Sequence, residues 1–165
     1  MKVWAMRPGE TENNNRKPSP DWTVEPADWR DYTQLHHLVK ESFESEDLWP
    51  FLDLIGALTL PGLVRLKAVS DGRMLGFIGG EREPSKHRGW ITMLAVLPAY
   101  RRQGIARGLL AEGEKFLNAS IIRLSVRISN GAAVKLYEST GYRVVDRWGR
   151  YYVGGEDALV FEKRR

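Results

Sequence analysis

The chain has 165 residues, with 25 basic and 21 acidic side chains, 42% hydrophobic residues and no cysteine. A chain of this length buries roughly 70% of its unfolded surface, so it can form a core without disulfides or a structural metal. The absence of cysteine excludes disulfide frameworks, thiolate zinc sites, iron–sulfur clusters and a cysteine nucleophile. No segment has the roughly 18 apolar residues of a membrane span, and the first ten residues are too polar for a secretion signal. We therefore expect a cytoplasmic protein with no metal and no membrane partner.

Charge is distributed unevenly along the chain. Residues 1–100 carry 12 basic and 14 acidic side chains, whereas residues 101–165 carry 13 basic and 7 acidic ones. One region can thus attract an anionic ligand and another a cationic one. The sequence pI near 9.4 makes nucleic-acid binding an alternative function. Because no basic run is interleaved with aromatic residues, we expect no nucleic-acid partner.

The first predicted elements follow residues 1–20, whose three consecutive Asn and three Pro are typical of a tail or linker. A short strand at 22–26 precedes a helix capped by Asp28, and a second short helix covers 50–58. Strands at 63–69 and 74–81 flank an Asp-Gly turn. A polar loop at 81–88 then leads to 90–97, an apolar segment that predicts a central strand covered on both faces.

The second half alternates helices with strands. Helices are predicted at 107–117 and 130–140, and strands at 121–128, 142–146 and 158–162. The order β-α-α-β-β-β-α-β-α-β-β predicts a single mixed α/β (α+β) domain over residues 21–165.

One segment, 96–106, joins the central strand to the next helix and reads VLPAYRRQGIA. Pro98 ends the strand, and Gly104 and Ala106 keep side chains small where the backbone turns into the helix. The unpaired amides of the helix start carry partial positive charge, and three arginines nearby would repel one another unless an anion neutralised them. These are Arg101, Arg102 and Arg107. The segment predicts a phosphate or pyrophosphate site, with a simple strand-to-helix turn beside a solvated basic face as the alternative.

These residues resemble the signature of the GCN-type (GNAT) N-acetyltransferases, in which an apolar strand leads through V-x-P-x-Y-R and R/Q-x-x-G-x-G/A into a helix. The likeness covers residues 22–165 and implies a mostly antiparallel sheet flanked by helices, with acetyl-CoA as the acetyl donor. It also implies that the strand end pairs with the pantetheine arm and that the helix start surrounds the pyrophosphate. The implied contacts are Leu94, Ala95 and Val96 for the arm, and Arg101, Arg102, Gln103, Gly104, Ile105, Ala106 and Arg107 for the pyrophosphate.

A second segment, 129–142, reads SNGAAVKLYESTGY and has Asn130 as a good N-cap and Gly141 as a good helix stop. Asn130 and Tyr137 lie two turns apart, on nearly one face of the helix. Alone, the pair suits a cap and a core residue. Within the family's S-N-x-x-A-x-x-L-Y-E-x-x-G-Y block it resembles a CoA contact and a phenol beside the sulfur. A phenol of pKa near 10 can donate a proton to a departing thiolate, so Tyr137 is the expected general acid.

The general base is not evident from the sequence. Relatives that acetylate protein N-termini often carry Glu or His where this chain has Ser125, and serine cannot serve as the base. Candidates elsewhere are Glu44, Glu46, Asp47, Glu81, His87, His36 and His37, with a relayed water as a further alternative. An α-amine of pKa about 8 is roughly a tenth neutral at pH 7, a cost near 1.4 kcal/mol, whereas a lysine amine would cost more than about 4 kcal/mol. The weak base position therefore favours an α-amine acceptor.

The segment 150–158, RYYVGGEDA, resembles the Y-Y-x-x-G-E-D-A ending of ribosomal-protein alanine and related protein N-terminal acetyltransferases. In that branch the paired tyrosines, here Tyr151 and Tyr152, border the peptide entrance. An ordinary hairpin with Gly154 and Gly155 in its turn is the alternative.

These patterns together predict an acetyl-CoA-dependent N-acetyltransferase that acts on the α-amino group of a protein or peptide by direct transfer in a ternary complex. The acidic residues Glu44, Glu46 and Asp47 would suit such a cationic acceptor. A small amine is the alternative acceptor, and a non-catalytic CoA-binding sensor is the alternative function. We expect a monomer or a homodimer.

Overall fold

The computed structural model describes residues 21–43 and 51–165 and shows a seven-stranded sheet with four α-helices in this part of the chain. The predicted order of elements is confirmed. The strands are β1 (Thr23–Pro26), β2 (Leu63–Ser70), β3 (Arg73–Glu83), β4 (Arg88–Val96), β5 (Ile121–Arg127), β6 (Arg143–Trp148) and β7 (Ala158–Arg164). The helices are α1 (Tyr32–Ser42), α2 (Phe51–Thr59), α3 (Ile105–Leu117) and α4 (Gly131–Ser139). No helix of this described part is both long and apolar enough to span a membrane.

The strands lie in the spatial order β1-β2-β3-β4-β5-β7-β6. Strands β4 and β5 run parallel, and the other neighbouring strands of the described sheet run antiparallel. The parallel pair needs a crossover connection, which α3 provides. The carboxyl ends of β4 and β5 therefore meet at the same edge of the sheet, where the predicted phosphate segment begins.

The β3–β4 hairpin is longer than the sequence predicted. β3 continues to Glu83, so the interpretation of 81–88 as a loop is wrong for its first and last residues. Glu83 pairs with Arg88 in register, and their side chains form an ion pair at 2.6 Å. This cross-strand pair extends the ladder into polar sequence, which hydrophobic patterning cannot detect.

Two hydrophobic cores cover the sheet unequally. On one face, α3 and α4 pack over most of the sheet. This core includes Leu109 of α3 and the strand residues Leu124 and Phe161, each 0% exposed. On the other face, α1 and α2 pack against β3 and β4 through residues such as Leu35 and Phe77. Among the described residues, this second core contains none from β5, β6 or β7. That part of the face is not covered by the second core, and we call it the open face, although Ser125 and Val160 on it are each 1% exposed.

Candidate active site

A β-bulge opens a cleft between β4 and β5. Gly79 faces Met93 and Gly80 faces Ile91, so Thr92 is an extra residue in β4. A bulge bends its strand and increases the local twist. The pairing of β4 with β5 ends at Trp90 and Arg123, just before the bulge. From there to its end, β4 has no strand partner on the β5 side among the described residues, and its backbone edge is open.

The open edge includes the predicted pantetheine contacts. Leu94, Ala95 and Val96 pair with β3 on one side and lie beyond the last β5 pair on the other. The Val96 carbonyl already accepts hydrogen bonds from Ser42 Oγ and Arg101 Nε, each at 3.3 Å. All three side chains are buried, so what this segment can offer to a ligand is its backbone.

The start of α3 exposes its backbone amides. Gly104 is the N-cap, with φ +82° and ψ −9°, and no side chain caps the first turn. A side chain at this φ would be strained, and an added Cβ would meet no protein atom within 4 Å. Ile105 is 1% exposed and packs in the core, and Ala106 packs against it, so both residues present backbone rather than side chain to the cleft. The result is a helix N-terminus open to an anion.

The three arginines of this segment point in different directions. Arg101 donates to the carbonyls of Val96 and Ser42, at 3.3 and 3.5 Å. Arg107 donates to Ser139 Oγ at 3.0 Å. Arg102 is exposed, with φ +63°. Two of the three guanidinium groups thus donate to neutral protein oxygens, which position them without neutralising their charge.

Gln103 adds an unsatisfied acceptor to the same turn. Its Nε2 donates to the Ala99 carbonyl at 3.4 Å, while its Oε1 is buried without a hydrogen-bond partner. A buried acceptor without a donor is costly, and in a native protein it commonly marks a place where a ligand or water supplies the donor. Gln103 thus suits a ligand that carries N–H groups.

Helix α4 places Asn130 and Tyr137 as the sequence predicted. The Asn130 Oδ1 accepts from the Ala133 N–H at 3.0 Å, which confirms its role as the N-cap. Tyr137 is 3% exposed, with its ring 5.8 Å from that of Phe161 and 5.9 Å from that of Tyr142. Burial raises the pKa of the Tyr137 phenol. The phenol therefore keeps its proton throughout the physiological pH range.

Ser125 lies on the open face of β5, because its neighbours Leu124 and Val126 point into the first core. It is 1% exposed, and its Oγ has no hydrogen-bond partner. The phenol of Tyr152, itself 2% exposed, lies beside it, and the Arg127 guanidinium stacks 4.5 Å from the Tyr152 ring centroid. Burial raises the pKa of Tyr152, although Ser125 and Arg127 partly oppose that shift. A protonated phenol, that of Tyr152, thus lies beside the Ser125 hydroxyl.

A pocket of about 410 Å³ opens farther down the same face. It is lined by Glu81, Glu83, Arg88, Trp90, Trp148 and Tyr151. Its aromatic wall is continuous, because the Trp148 ring lies 5.9 Å from that of Trp90 and 5.0 Å from that of Tyr151. The Tyr151 ring in turn meets Tyr152 edge to face at 5.2 Å. Tyr151 in the pocket wall and Tyr152 beside Ser125 therefore connect the pocket to the Ser125 hydroxyl.

Comparison with known proteins decides the family. The model of the acetyltransferase (GNAT) family matches residues 22–142. The N-alpha-acetyltransferase RimI of Mycobacterium tuberculosis is 32% identical over 138 residues, which is 81% of this chain and 86% of that protein. The chain belongs to the GNAT family.

Two further matches bear on length and fold. The catalytic subunit NAA10 of the N-terminal acetyltransferase A complex of Arabidopsis thaliana is 37% identical over 113 residues, 64% of this chain, and the match spans only 59% of that subunit. The ribosomal-protein-S18-alanine N-acetyltransferase of Escherichia coli shares the fold, with a TM-score of 0.77 at 24% identity over 87% of this chain and 94% of that one. The predicted GNAT fold and acetyltransferase class are confirmed.

Acetyl-CoA, the acetyl donor of GNAT enzymes, fits the residues present. The open edge of β4 can pair with an amide-bearing chain, the uncapped start of α3 can bind a pyrophosphate, and the buried Gln103 Oε1 lacks a donor. All three features lie within the continuous segment 94–107. We found no group of three or more potential ligating side chains that could hold a metal in the described ranges.

The candidate bases are widely separated. Glu44, Glu46 and Asp47 lie outside the described residues. His87 is exposed at the far end of the β3–β4 hairpin, seven residues and about 23 Å of strand from Leu94. His36 and His37 are exposed on α1. Of the candidates in the described part of the chain, Glu81 alone lines the open face.

Sequence reasoning missed most of the pocket. Trp90 was assigned to the central strand and Trp148 to no site, and Glu83 and Arg88 to a loop. They line one pocket although β5 and β7 lie between β4 and β6 in the sheet. No local sequence pattern predicts that these residues line one pocket. The paired tyrosines after Trp148 did predict an acceptor site near this part of the chain.

Proposed function

We propose that this GNAT enzyme transfers the acetyl group of acetyl-CoA to the α-amino group of a protein or peptide. The observation that carries the proposal is the cleft at the end of β4, where the strand edge has no β5 partner and the start of α3 exposes its amides. The buried Tyr137 phenol of α4 and Ser125 of the neighbouring strand β5 lie at the other side of this cleft. The relatives named above are described as N-terminal or N-alpha-acetyltransferases, which supports a protein acceptor.

The donor would lie along β4 and α3. The backbone of Leu94 to Val96 would align the pantetheine arm, and the amides from Gly104 to Arg107 would bind the pyrophosphate. Arg102, exposed at the turn, would add charge, while Arg101 and Arg107 would hold the turn through their bonds to protein oxygens. Asn130 would fix the start of α4 and so the position of Tyr137. When bound, acetyl-CoA supplies a thioester whose acetyl carbon is open to attack by an amine.

Tyr137 would act as the general acid. Because burial raises its pKa, the phenol is protonated at neutral pH and can donate a hydrogen bond to the leaving sulfur. For the same reason it cannot serve as the base. Its lack of a protein partner among the described residues leaves the hydroxyl available for that contact.

The acceptor amine would react mainly in its neutral form, which is already present in solution at neutral pH. Ser125 offers a hydroxyl that can hold a water or the amine itself, but it cannot remove a proton at neutral pH. Deprotonation of an α-amine at pH 7 costs about 1.4 kcal/mol, so the reaction does not require a strong base on the enzyme. Deprotonation of a lysine side chain at pH 7 would cost about three times as much.

We also propose that residues 21–165 form the transferase domain, with residues 1–20 as a tail, and that the enzyme works in the cytoplasm as a monomer or homodimer. Deletion of residues 1–20 should leave kcat/KM for a peptide unchanged, and size-exclusion chromatography with light scattering should show one or two copies.

Incubation of the protein with acetyl-CoA and matched acceptors tests the function. Free N-terminal peptides should be acetylated at the α-amine, located by tandem mass spectrometry, at least tenfold more efficiently than the same peptides with a blocked N-terminus and a free lysine. Turnover only on polyamines or aminoglycosides would assign the small-amine alternative. Tight CoA binding without turnover on any amine would assign the sensor.

A further inference from the structure

The pocket on the open face contains a carboxylate that the fold does not neutralise. Glu83 is engaged by Arg88 at 2.6 Å, by Lys86 at 3.4 Å and by the Trp90 indole N–H at 3.2 Å. Glu81 has neither a salt bridge nor a hydrogen bond from any side chain in the described residues, and it is partly buried. Burial raises the pKa of Glu81, and the charge of Glu83 raises it further. The charged residues that line the pocket thus sum to one negative charge, and both cations near it, Arg88 and Lys86, pair with Glu83 rather than with Glu81.

We propose that this pocket binds a positively charged side chain of the acceptor, so that the enzyme prefers peptides with lysine or arginine at the first or second position. The inference rests on the proposed function and adds to it the class of acceptor. An unpaired carboxylate in a partly desolvated pocket is stabilised by an incoming ammonium or guanidinium group, which also removes its repulsion with Glu83.

The walls of the pocket suit the same ligand. Trp90, Trp148 and Tyr151 form a continuous aromatic surface. Aromatic faces attract cations and also pack against the methylene groups of a lysine or arginine side chain. The Arg88 guanidinium already lies 5.6 Å from the Trp90 ring centroid, but its charge is balanced by Glu83. A neutral apolar side chain would use the walls and leave Glu81 unpaired.

The distance from the reaction centre fits a side chain near the N-terminus. Trp90, in the pocket wall, is in register with Arg123, and Ser125 lies two residues farther along β5 on the same face. Two residues of strand span about 7 Å. An extended lysine side chain places its ammonium about 6 Å from its own Cα. With the α-amine beside Ser125, the cation of a first or second residue reaches Glu81.

A peptide series tests the proposal directly. Four peptides share one sequence and differ at the second position, which is lysine, arginine, norleucine or glutamate. Wild-type enzyme should have a kcat/KM about tenfold higher for lysine than for norleucine, mostly through KM, and the lowest value for glutamate. 1,4-Diaminobutane carries two amines at a spacing similar to that between the α-amine and the side-chain amine of lysine. Comparing its kcat/KM with that of the lysine peptide distinguishes a small-diamine acceptor from a peptide acceptor.

Two variants assign the preference to the pocket. Glu81→Gln should reduce the lysine-to-norleucine ratio of kcat/KM to about one, mainly through a higher KM for the lysine peptide. Glu112→Gln, on α3 and away from the open face, is the matched control and should keep the tenfold ratio. Glu81→Lys should reverse the order, with the glutamate peptide becoming the best. An unchanged ratio in Glu81→Gln would overturn the proposal, as would a wild-type enzyme indifferent to the second position.

Binding is measured separately from turnover. Because Trp90 and Trp148 line the pocket, titration of the N-acetylated lysine peptide should change the tryptophan fluorescence more, and at lower concentration, than the norleucine peptide. Glu81→Gln should abolish that difference. A cation preference in binding without acetylation of any peptide would refute the proposed function and keep the pocket assignment. Acetylation of all peptides without a cation preference in either assay would do the reverse.

Discussion

The donor and acceptor sides of the cleft are built in different ways. The donor side is mostly backbone: an open strand edge, the amides of a helix start and a glycine with positive φ, all within the continuous segment 94–107. The acceptor side is mostly side chains, brought together from β3, β4, β6 and the segment that follows β6. A backbone site can be kept with few constraints on side chains, whereas a side-chain pocket can change its ligand with a single substitution. The donor should therefore be common to the family and the acceptor particular to this chain.

Tyr137→Phe should have the largest effect on rate. Loss of the proton donor is expected to reduce kcat about 100-fold, with the Kd for CoA within twofold of wild type. Since the phenol has no hydrogen-bond partner in the described part of the structure, the thermal midpoint should be unchanged or slightly higher.

Tyr142→Phe is the matched control for that variant. Tyr142 is 2% exposed, and its hydroxyl donates to Glu114 Oε1 at 3.0 Å. Its removal should cost about 1 kcal/mol of stability while kcat stays within twofold. Equal rates for wild type and Tyr137→Phe would remove Tyr137 from the chemistry.

Glu156→Gln should affect the acceptor side alone. Glu156 accepts from the Ser129 amide at 2.8 Å and pairs with Arg127 at 2.9 Å, and Arg127 stacks on Tyr152. A neutral amide would loosen this support, so we expect KM for a peptide to rise about fivefold with kcat little changed. Steady-state kinetics at saturating acetyl-CoA measure both constants. A fall in kcat with constant KM would show that the pair acts on the reaction centre instead.

Acid stability gives the smallest expected effect. Burial acts to raise the pKa of Glu162, but its bonds to Arg123 at 2.6 Å and Arg164 at 2.9 Å outweigh burial and lower the pKa. Its stabilisation is therefore complete above the unfolded pKa of about 4.3 and is lost as the pH falls through the lower folded value. Urea unfolding between pH 3 and 6 should give a shallower acid decline for Glu162→Gln than for wild type. Parallel curves would exclude this contribution.

The sequence revealed the donor side because local rules determine it. Pro98 and Gly104 mark a strand end and a helix start, and Asn130 marks a cap, each through its own backbone chemistry. Even there, the directions of Arg101 and Arg107 were not predictable, since their partners Ser42 and Ser139 lie far away in the chain.

The acceptor side was beyond local rules. The bulge at Thr92, which opens the cleft, follows from strand register rather than composition. Glu81 and Trp148 line one pocket although β4, β5 and β7 lie between their strands, a relation that no local pattern encodes. Hydrophobic patterning assigns Trp90 to a strand but not to a pocket wall, because the pattern does not show which residues of other strands cover the tryptophan and which leave it accessible.

The central claim is that the exposed start of α3 binds the donor, and titration calorimetry with coenzyme A on two glycine variants tests it most directly. Gly104 and Gly72 both have positive φ, +82° and +72°, and an added Cβ meets no protein atom within 4 Å at either position. Alanine should cost each variant a similar stability, roughly 1 kcal/mol. The account predicts that Gly104→Ala weakens CoA binding at least tenfold and that Gly72→Ala, in the β2–β3 turn, binds like wild type. Equal CoA affinities for wild type and Gly104→Ala would contradict it.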